Sequence, residues 1–318
     1  MPKLILDPEA FADDAVAPGT RMVNDAIVKT LQGLPNRWSV PLPAIRAARA
    51  SGKGTFPLPP ESKRAHDETV PGPRGPVPVR IVMPDGAPKG VYLHIHGGGW
   101  TLGSARENEG LTDRIAANCG LAVVSVDYAL APEVPYPAGP DDCEAVALWL
   151  VKEGAARFGT HRFAIGGESG GATLAVATLL RLRDKHLMQP FTAANLTAGC
   201  YDLRLTPSAR NWGDQPLVLN TADIARFVRN YLRLVGNPDD PDVSPLLADL
   251  RGLPKALFTV GAKDPLLDDS LFMAARWMAA GNESALDVYP GGCHVFIGFP
   301  GPITDQALRK IDDFLTHF

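Results

Sequence analysis

Phe163-Ala164-Ile165-Gly166-Gly167-Glu168-Ser169-Gly170-Gly171-Ala172 is the stretch that decides the fold. Residues 163–165 read as a short strand, and the almost wholly apolar residues 172–183 read as a buried helix. Between them Gly167-Glu168-Ser169-Gly170-Gly171 fits G-x-S-x-G, a pattern that chance would supply about 0.1 times in a chain of this composition. In a strand–turn–helix setting the glycines relieve crowding at a sharp turn, and the serine hydroxyl stands exposed. The plainer reading is a tightly packed βα turn. The strand before it and the helix after it favour a nucleophile.

Working outward, residues 91–95, 121–126, 256–260 and 286–289 read as further strands. Helical patterns at 107–118, 140–151, 266–280 and 303–314 alternate with them. Repeated β-α-β units with short connections predict the α/β class: a mostly parallel central sheet with helices on both faces. Upstream, Met22, Val23, Ile27, Val28 and Leu31 recur at helical spacing, and Gly33-Leu34-Pro35 stops the run. Residues 41–88 carry 11 prolines, which predicts extended segments and turns, with a strand at 77–83. Residues 203–234 break the βα rhythm and end in a helix-like run at 224–234. They read as an insertion over one edge of the sheet.

The chain has 318 residues, enough for one large α/β domain or two smaller ones. Hydrophobic residues make up 45% and charged residues 21%, an ordinary globular balance that excludes disorder. A net charge of −4 offers no basic field for nucleic acid or an anionic membrane. No apolar run approaches a membrane span, and residues 1–10, with Asp7 and Glu9, lack a signal-peptide core. Cys119, Cys143, Cys200 and Cys293 form no CxxC pair and read as reduced thiols of a cytoplasmic protein.

A serine hydroxyl needs a base, and the base needs a carboxylate to fix its tautomer. Downstream of Ser169 the histidines are His186, His294 and His317. His186 lies at the far end of the next helix, roughly 25 Å away at 1.5 Å per residue. His317 is penultimate, where fraying is expected. His294 follows the strand at 286–289 within a Gly291-Gly292-Cys293 loop and is the candidate base. Asp264, directly after the strand at 256–260, is the favoured acid. Asp202 is its rival, while Asp268 and Asp269 read as residues complementing the next helix.

His96-Gly97-Gly98-Gly99-Trp100 is the second strong motif. Three glycines at a strand end let backbone amides point into a cleft, and with the Gly170 amide they can bind an oxyanion. His96 reads as a brace for this loop. A metal reading of His94 and His96, which share one side of a strand, lacks an accompanying carboxylate or third histidine in the sequence. A phosphate cradle lacks its Gly-rich signature.

HGGGW (96–100), VDYALAPE (126–133), GGESGG (166–171), DPLLD (264–268) and YPGGCHVF (289–296) stand in the order and spacing of a known family. Together they resemble the hormone-sensitive-lipase-like esterases, bacterial family IV, of the α/β-hydrolase fold. The resemblance runs from about Val70 to the C-terminus. It implies that Ser169, Asp264 and His294 are the triad and that Gly98, Gly99 and Gly170 form the oxyanion hole. It also implies a discontinuous helical cap, residues 1–55 and 203–240, on a catalytic domain of residues 56–202 and 241–318. Three departures stand out. Glu-Ser-Gly-Gly replaces the common Asp-Ser-Ala-Gly, which suggests a looser turn. Ala129 stands where relatives carry an arginine, removing an ion pair. Cys293 beside His294 suggests sensitivity to thiol reagents.

The expected reaction is hydrolysis of short- to medium-chain esters through an acyl-enzyme, with a small-molecule ester as partner and no cofactor or metal. Trp100, Tyr201, Trp212 and Phe296 are candidate pocket walls. Amide or arylformamide hydrolysis by the same triad is the alternative. A non-catalytic receptor on a hydrolase fold is a remote one, since such relatives have lost the histidine. A homodimer is compatible with the sequence.

Overall fold

The computed structural model describes residues 4–233 and 235–318. Met1, Pro2 and Lys3, at the start of the segment read as lacking a signal core, lie outside the described residues. So does Leu234, the end of the run expected to be helical.

Along the chain come α1 (Pro18–Gln32), α2 (Leu42–Ala50), β1 (Ala65–Gly72), β2 (Gly75–Val82), β3 (Gly90–Ile95), α3 (Glu109–Cys119) and β4 (Leu121–Val126). Then follow α4 (Ala138–Phe158), β5 (Phe163–Glu168), α5 (Gly170–His186), β6 (Phe191–Thr197), α6 (Pro207–Asn211) and α7 (Thr221–Leu232). The series closes with β7 (Lys255–Gly261), α8 (Leu267–Ala279), β8 (Ser284–Tyr289) and α9 (Pro302–Thr316). The strands form one sheet in the order β1-β2-β4-β3-β5-β6-β7-β8. Pairing is antiparallel at β1/β2 and β2/β4 and parallel from β4 through β8.

β3, β4 and β5 are buried along their whole length, as continuous apolar runs between two helical layers must be. Their side chains part by the two-residue period of a strand. Leu93, Val124 and Ile165 join the core under α4, α5 and α8. Tyr92, Val123 and Ala164 join the core under α3 and α9, which α1 extends through Ile27.

Several elements differ from the sequence reading: α2 opens the proline-rich stretch read as extended, β6 was not read as a strand, and β1 and α4 depart as well. β1 was not expected, because Ala-His-Asp-Glu-Thr-Val-Pro-Gly is polar. It is an edge strand with mostly solvated side chains, where polar residues and a proline are tolerated. α4 runs seven residues past the expected end at 151. Its Gly154 lies against the Phe163 ring, so a residue that weakens a free helix here permits close helix–strand packing.

The two segments outside the βα rhythm meet above the sheet. Trp38 stands edge-on to Phe227 of α7 at 4.9 Å, and its indole N–H donates to Asp223 Oδ1 at 2.7 Å. Arg46 of α2 donates to the carbonyls of Thr101 and Ala131 at 2.8 and 2.7 Å. α1 lies lower, beside α9, where Asn24 donates to the carbonyl of Gly291 at 2.8 Å. Among the described residues no helix is long and apolar enough to cross a membrane.

Candidate active site

Parallel strands direct their carboxyl ends to one edge of the sheet, where the βα loops gather. β5 ends at Glu168. Ser169 then adopts φ 55°, ψ −124°, and α5 begins at the next residue. Such a backbone is strained for a residue with a side chain, and it lifts the hydroxyl clear of both strand and helix. A Cβ on Gly171 would sit 2.0 Å from the Ile95 carbonyl oxygen, so the turn closes only with glycine there.

His294 stands five residues beyond β8, on a loop fixed from two sides. The Lys263 amide donates to the Gly292 carbonyl at 2.9 Å, and α1 holds Gly291. The Ser169 hydroxyl donates to His294 Nε2 at 2.9 Å, and His294 Nδ1 donates to both oxygens of Asp264 at 3.0 Å. Asp264, after β7, also accepts the Leu266 amide at 2.8 Å. The rival acid is committed elsewhere. Asp202 is gripped by Arg204, whose guanidinium donates to both its oxygens. Burial pushes its carboxyl up, but the Arg204 contacts outweigh that and hold it below the usual range. Asp268 and Asp269 sit in the first turn of α8, as expected, but their acceptors serve residues 201–208.

The glycine loop lies on the serine turn. Gly98 has φ 114° and Gly99 φ 58°, and the Gly98 carbonyl accepts the amides of Thr101 and Leu102. Among the described residues, the amides of Gly98, Gly99 and Gly170 meet no protein acceptor, and all three residues line the cavity that holds Ser169. His96 braces the loop, with Nδ1 2.8 Å from the Gly97 carbonyl and its ring stacked 4.3 Å from Tyr128. Burial pushes its imidazole below the usual value.

The cavity measures about 300 Å³. Of the four expected wall residues, Trp100 lines it and three do not. Tyr201 is fully buried and packs edge-on to Phe258 at 6.3 Å. Phe296 packs on Tyr289 at 5.0 Å, behind the histidine loop. Trp212 turns its indole N–H to Gln215 on the outer surface of the insertion. The apolar wall comes instead from Phe56 and Leu58, from Ile224 and Phe227 of α7, and from Phe299. The helix-like run read at 224–234 marked that helix, but only its docking reveals which face meets the cavity.

The sequence reading also missed a buried network beside the serine. His94 Nδ1 is 2.7 Å from Ser125 Oγ, and its Nε2 meets the Glu168 carboxylate at 3.1 and 3.2 Å. Asn108 donates to the same carboxylate at 3.0 Å. The carboxylate thought absent from His94 is therefore present, brought from β5 to β3 by sheet pairing. Among the described residues no group of three metal-ligating side chains forms.

The other departures resolve in structural terms. Asp142 meets Arg74 at 2.5 Å and accepts the Ala129 amide at 2.9 Å, so a cation from the β1–β2 turn reaches this site. Cys293 is 1% exposed, and burial pushes its thiol up to about 12, both of which oppose the expected thiol sensitivity.

Sheet order, serine turn and the hydrogen-bonded serine–histidine–aspartate series together define an α/β-hydrolase. A sequence model of the α/β hydrolase fold family matches residues 92–298. The esterase LipI of Mycobacterium tuberculosis is 31% identical, with 93% of this chain and 95% of that protein covered. A hyperthermophilic esterase of the archaeon Pyrobaculum calidifontis superposes with a TM-score of 0.84 at 27% identity, covering 95% of this chain and 98% of the other. An esterase of the bacterial hormone-sensitive lipase family superposes at 0.80 with 31% identity, covering 95% and 98%. The chain belongs to the α/β-hydrolase family and, within it, to the hormone-sensitive-lipase-like carboxylesterases.

Proposed function

We propose that this protein is a cytoplasmic serine carboxylesterase that hydrolyses short- to medium-chain acyl esters. The observation that carries the reading is the unbroken series Ser169–His294–Asp264 beside three amides that meet no acceptor among the described residues, in a cavity with one apolar wall. Ser169 Oγ attacks the ester carbonyl while its proton passes to His294 Nε2. The carbonyl electron pair moves onto oxygen, facing the amides of Gly98, Gly99 and Gly170. Collapse expels the alcohol, which takes the proton from His294. Water then repeats the sequence on the acyl-enzyme, releasing the acid. Asp264 holds the imidazole in the required tautomer.

We assign residues 1–55 and 203–240 to a discontinuous cap, of which the parts that reach the cavity bound the acyl or alcohol chain. Support comes from Ile224 and Phe227 in the cavity wall. A cavity of about 300 Å³ suits a short or medium chain and not a long lipid. The cytoplasmic assignment rests on four free, buried cysteines.

A p-nitrophenyl ester series from acetate to octanoate, assayed beside an aryl formamide, tests the reading. Turnover is expected to peak at or below the middle of the series and to exceed that of the formamide. A formamide preferred over every ester would replace the esterase assignment with an amidase one.

A further inference from the structure

We propose that Trp100 is a positioning residue that fixes the spacing between the two halves of the oxyanion hole, and that position 170 is glycine because the Trp100 indole occupies the space of a side chain there. The inference rests on the esterase reading above and concerns how its donors are held.

The donors come from separate pieces of chain. Gly98 and Gly99 belong to the loop after β3, whereas Gly170 opens α5. An oxyanion is stabilised only if donors from both pieces reach it at hydrogen-bond distance together, so some group must set their separation. Trp100 is the side chain that spans the gap. Its backbone continues the glycine loop at φ 56°, a left-handed conformation rarely adopted by a bulky residue. That conformation turns the ring across the elbow, where the indole N–H donates to the Gly170 carbonyl at 3.1 Å. A Cβ on Gly170 would lie 3.1 Å from both Cε2 and Nε1 of that ring, inside ordinary contact distance. The indole therefore grips Gly170 by a hydrogen bond and by direct contact, and an alanine at 170 would need the ring to give way by a few tenths of an ångström or the two donor sets to part by as much.

The ring cannot easily retreat. Its outer face stacks on Tyr231 of α7 at 4.5 Å and 21°, and the Trp100 carbonyl accepts the Ala131 amide at 2.8 Å. One turn earlier on α7, Phe227 covers Gly99, so the same helix presses on both the loop and its clamp. The indole is 3% exposed, and the strain at its backbone is retained where the donors depend on it.

A double-substitution cycle on p-nitrophenyl butyrate tests this, with Trp100→Leu, Gly170→Ala and the pair. Trp100→Leu removes the ring edge and the indole donor. It is expected to lower kcat about 10- to 100-fold, less than the ~10²–10³ of a lost donor, with KM within about threefold. Gly170→Ala alone is expected to lower kcat by a similar factor. In the Trp100→Leu background it should lower kcat less than about threefold, because the obstacle is gone. An alkyl trifluoromethyl ketone supplies the second readout. Ser169 Oγ bonds to its carbonyl carbon, the π pair moves to oxygen and the proton goes to His294, so binding reports the oxyanion hole directly. Its affinity should fall in parallel with kcat. Effects that multiply across the cycle would overturn the proposal, as would ketone affinity unchanged while KM rises. Should the leucine variant not fold, Trp100→Phe repeats the cycle, since it keeps a ring on Tyr231 without the indole N–H. Ser169→Ala separates the two layers. If it retains turnover, the nucleophile assignment fails. If it is inactive and the cycle is multiplicative, only the role of Trp100 fails.

Discussion

Two serine–histidine–carboxylate series lie side by side in this molecule. In one, Ser169 meets His294 at 2.9 Å and His294 meets Asp264 at 3.0 Å. In the other, Ser125 meets His94 at 2.7 Å and His94 meets Glu168 at 3.1 Å. The chemical groups are the same and the contact lengths similar, with a glutamate in place of the aspartate, and Glu168 is the immediate neighbour of Ser169. The surroundings differ. Ser125 lies within β4 on regular backbone, 1% exposed. Ser169 stands on a strained turn facing a cavity, beside amides that meet no acceptor among the described residues. His94 turns Nδ1 to its serine and Nε2 to its acid, the reverse of His294. Three hydrogen-bonded side chains do not make a nucleophile. Backbone strain, access and oxyanion donors complete it.

The largest test of that contrast replaces each serine. Ser169→Ala should lower turnover of p-nitrophenyl butyrate by at least ~10⁴-fold. Ser125→Ala should leave turnover within about threefold and remove ~1–3 kcal/mol of stability, since it leaves a buried imidazole nitrogen without its partner. Loss of activity in a fully folded Ser125→Ala protein would break the comparison. Next in size, Asp264→Asn should lower kcat by ~10³–10⁴-fold by destabilising the required tautomer. Asp202→Asn, whose partner is Arg204, should lower it much less. An inactive Asp202→Asn beside an active Asp264→Asn would overturn the assignment of the acid.

Much of the first series was legible in the sequence, and none of the second was. Ser169, Asp264 and His294 each fall within a few residues of the end of a predicted strand, so the parallel sheet brings their loops to one edge. His94, Ser125 and Glu168 lie within strands. Their meeting depends on β3 lying between β4 and β5, and strand order is not written in local periodicity. Register then decides it, since His94 pairs with Ser125 on one side and Gly166 on the other. The cavity wall was legible in part. Trp100 is fixed by its motif, whereas Tyr201, Trp212 and Phe296 are aromatic residues placed by packing. Their distance from the cavity follows from tertiary contacts, which composition does not encode. The length of α4 escaped for the same reason, because Gly154 and Phe158 are stabilised by the sheet they cover.

Charge within the second series offers a finer test. Glu168→Gln keeps the volume but removes the anion that accepts from both His94 and Asn108. It should lower stability by ~1–3 kcal/mol in urea unfolding and turnover by roughly tenfold through the serine turn. Asp269 sharpens the comparison from the other side, as a fully buried carboxyl that meets only amides and a hydroxyl. Burial pushes it from 3.8 up to about 7. Because the folded value is raised, its stabilising contribution is complete below pH 3.8 and is lost as pH rises through about 7. Wild-type Tm should therefore fall between pH 5 and pH 8 by more than that of Asp269→Asn. Equal falls in the two proteins would show that Asp269 is ionised throughout that range.

The smallest expected effect concerns Cys293, which adjoins His294 in sequence. A reactive thiol must be both reachable and ionised, and this one is neither. It is 1% exposed, and burial pushes it up to about 12. At pH 8 that leaves roughly 10⁻⁴ of it as thiolate. Iodoacetamide at pH 8 should leave ester hydrolysis unchanged over an hour, and Cys293→Ala should respond identically. Inactivation of the wild type but not of the variant would mean that the loop after β8 opens often enough to expose the sulfur. The same opening would withdraw His294 from Ser169, so reagent sensitivity should then rise in step with loss of turnover as the protein is warmed. Cys293 and Ser125 thus make one point: a nucleophilic atom that adjoins His294 in sequence, or is bonded to His94, also needs access to solvent and substrate before it can react.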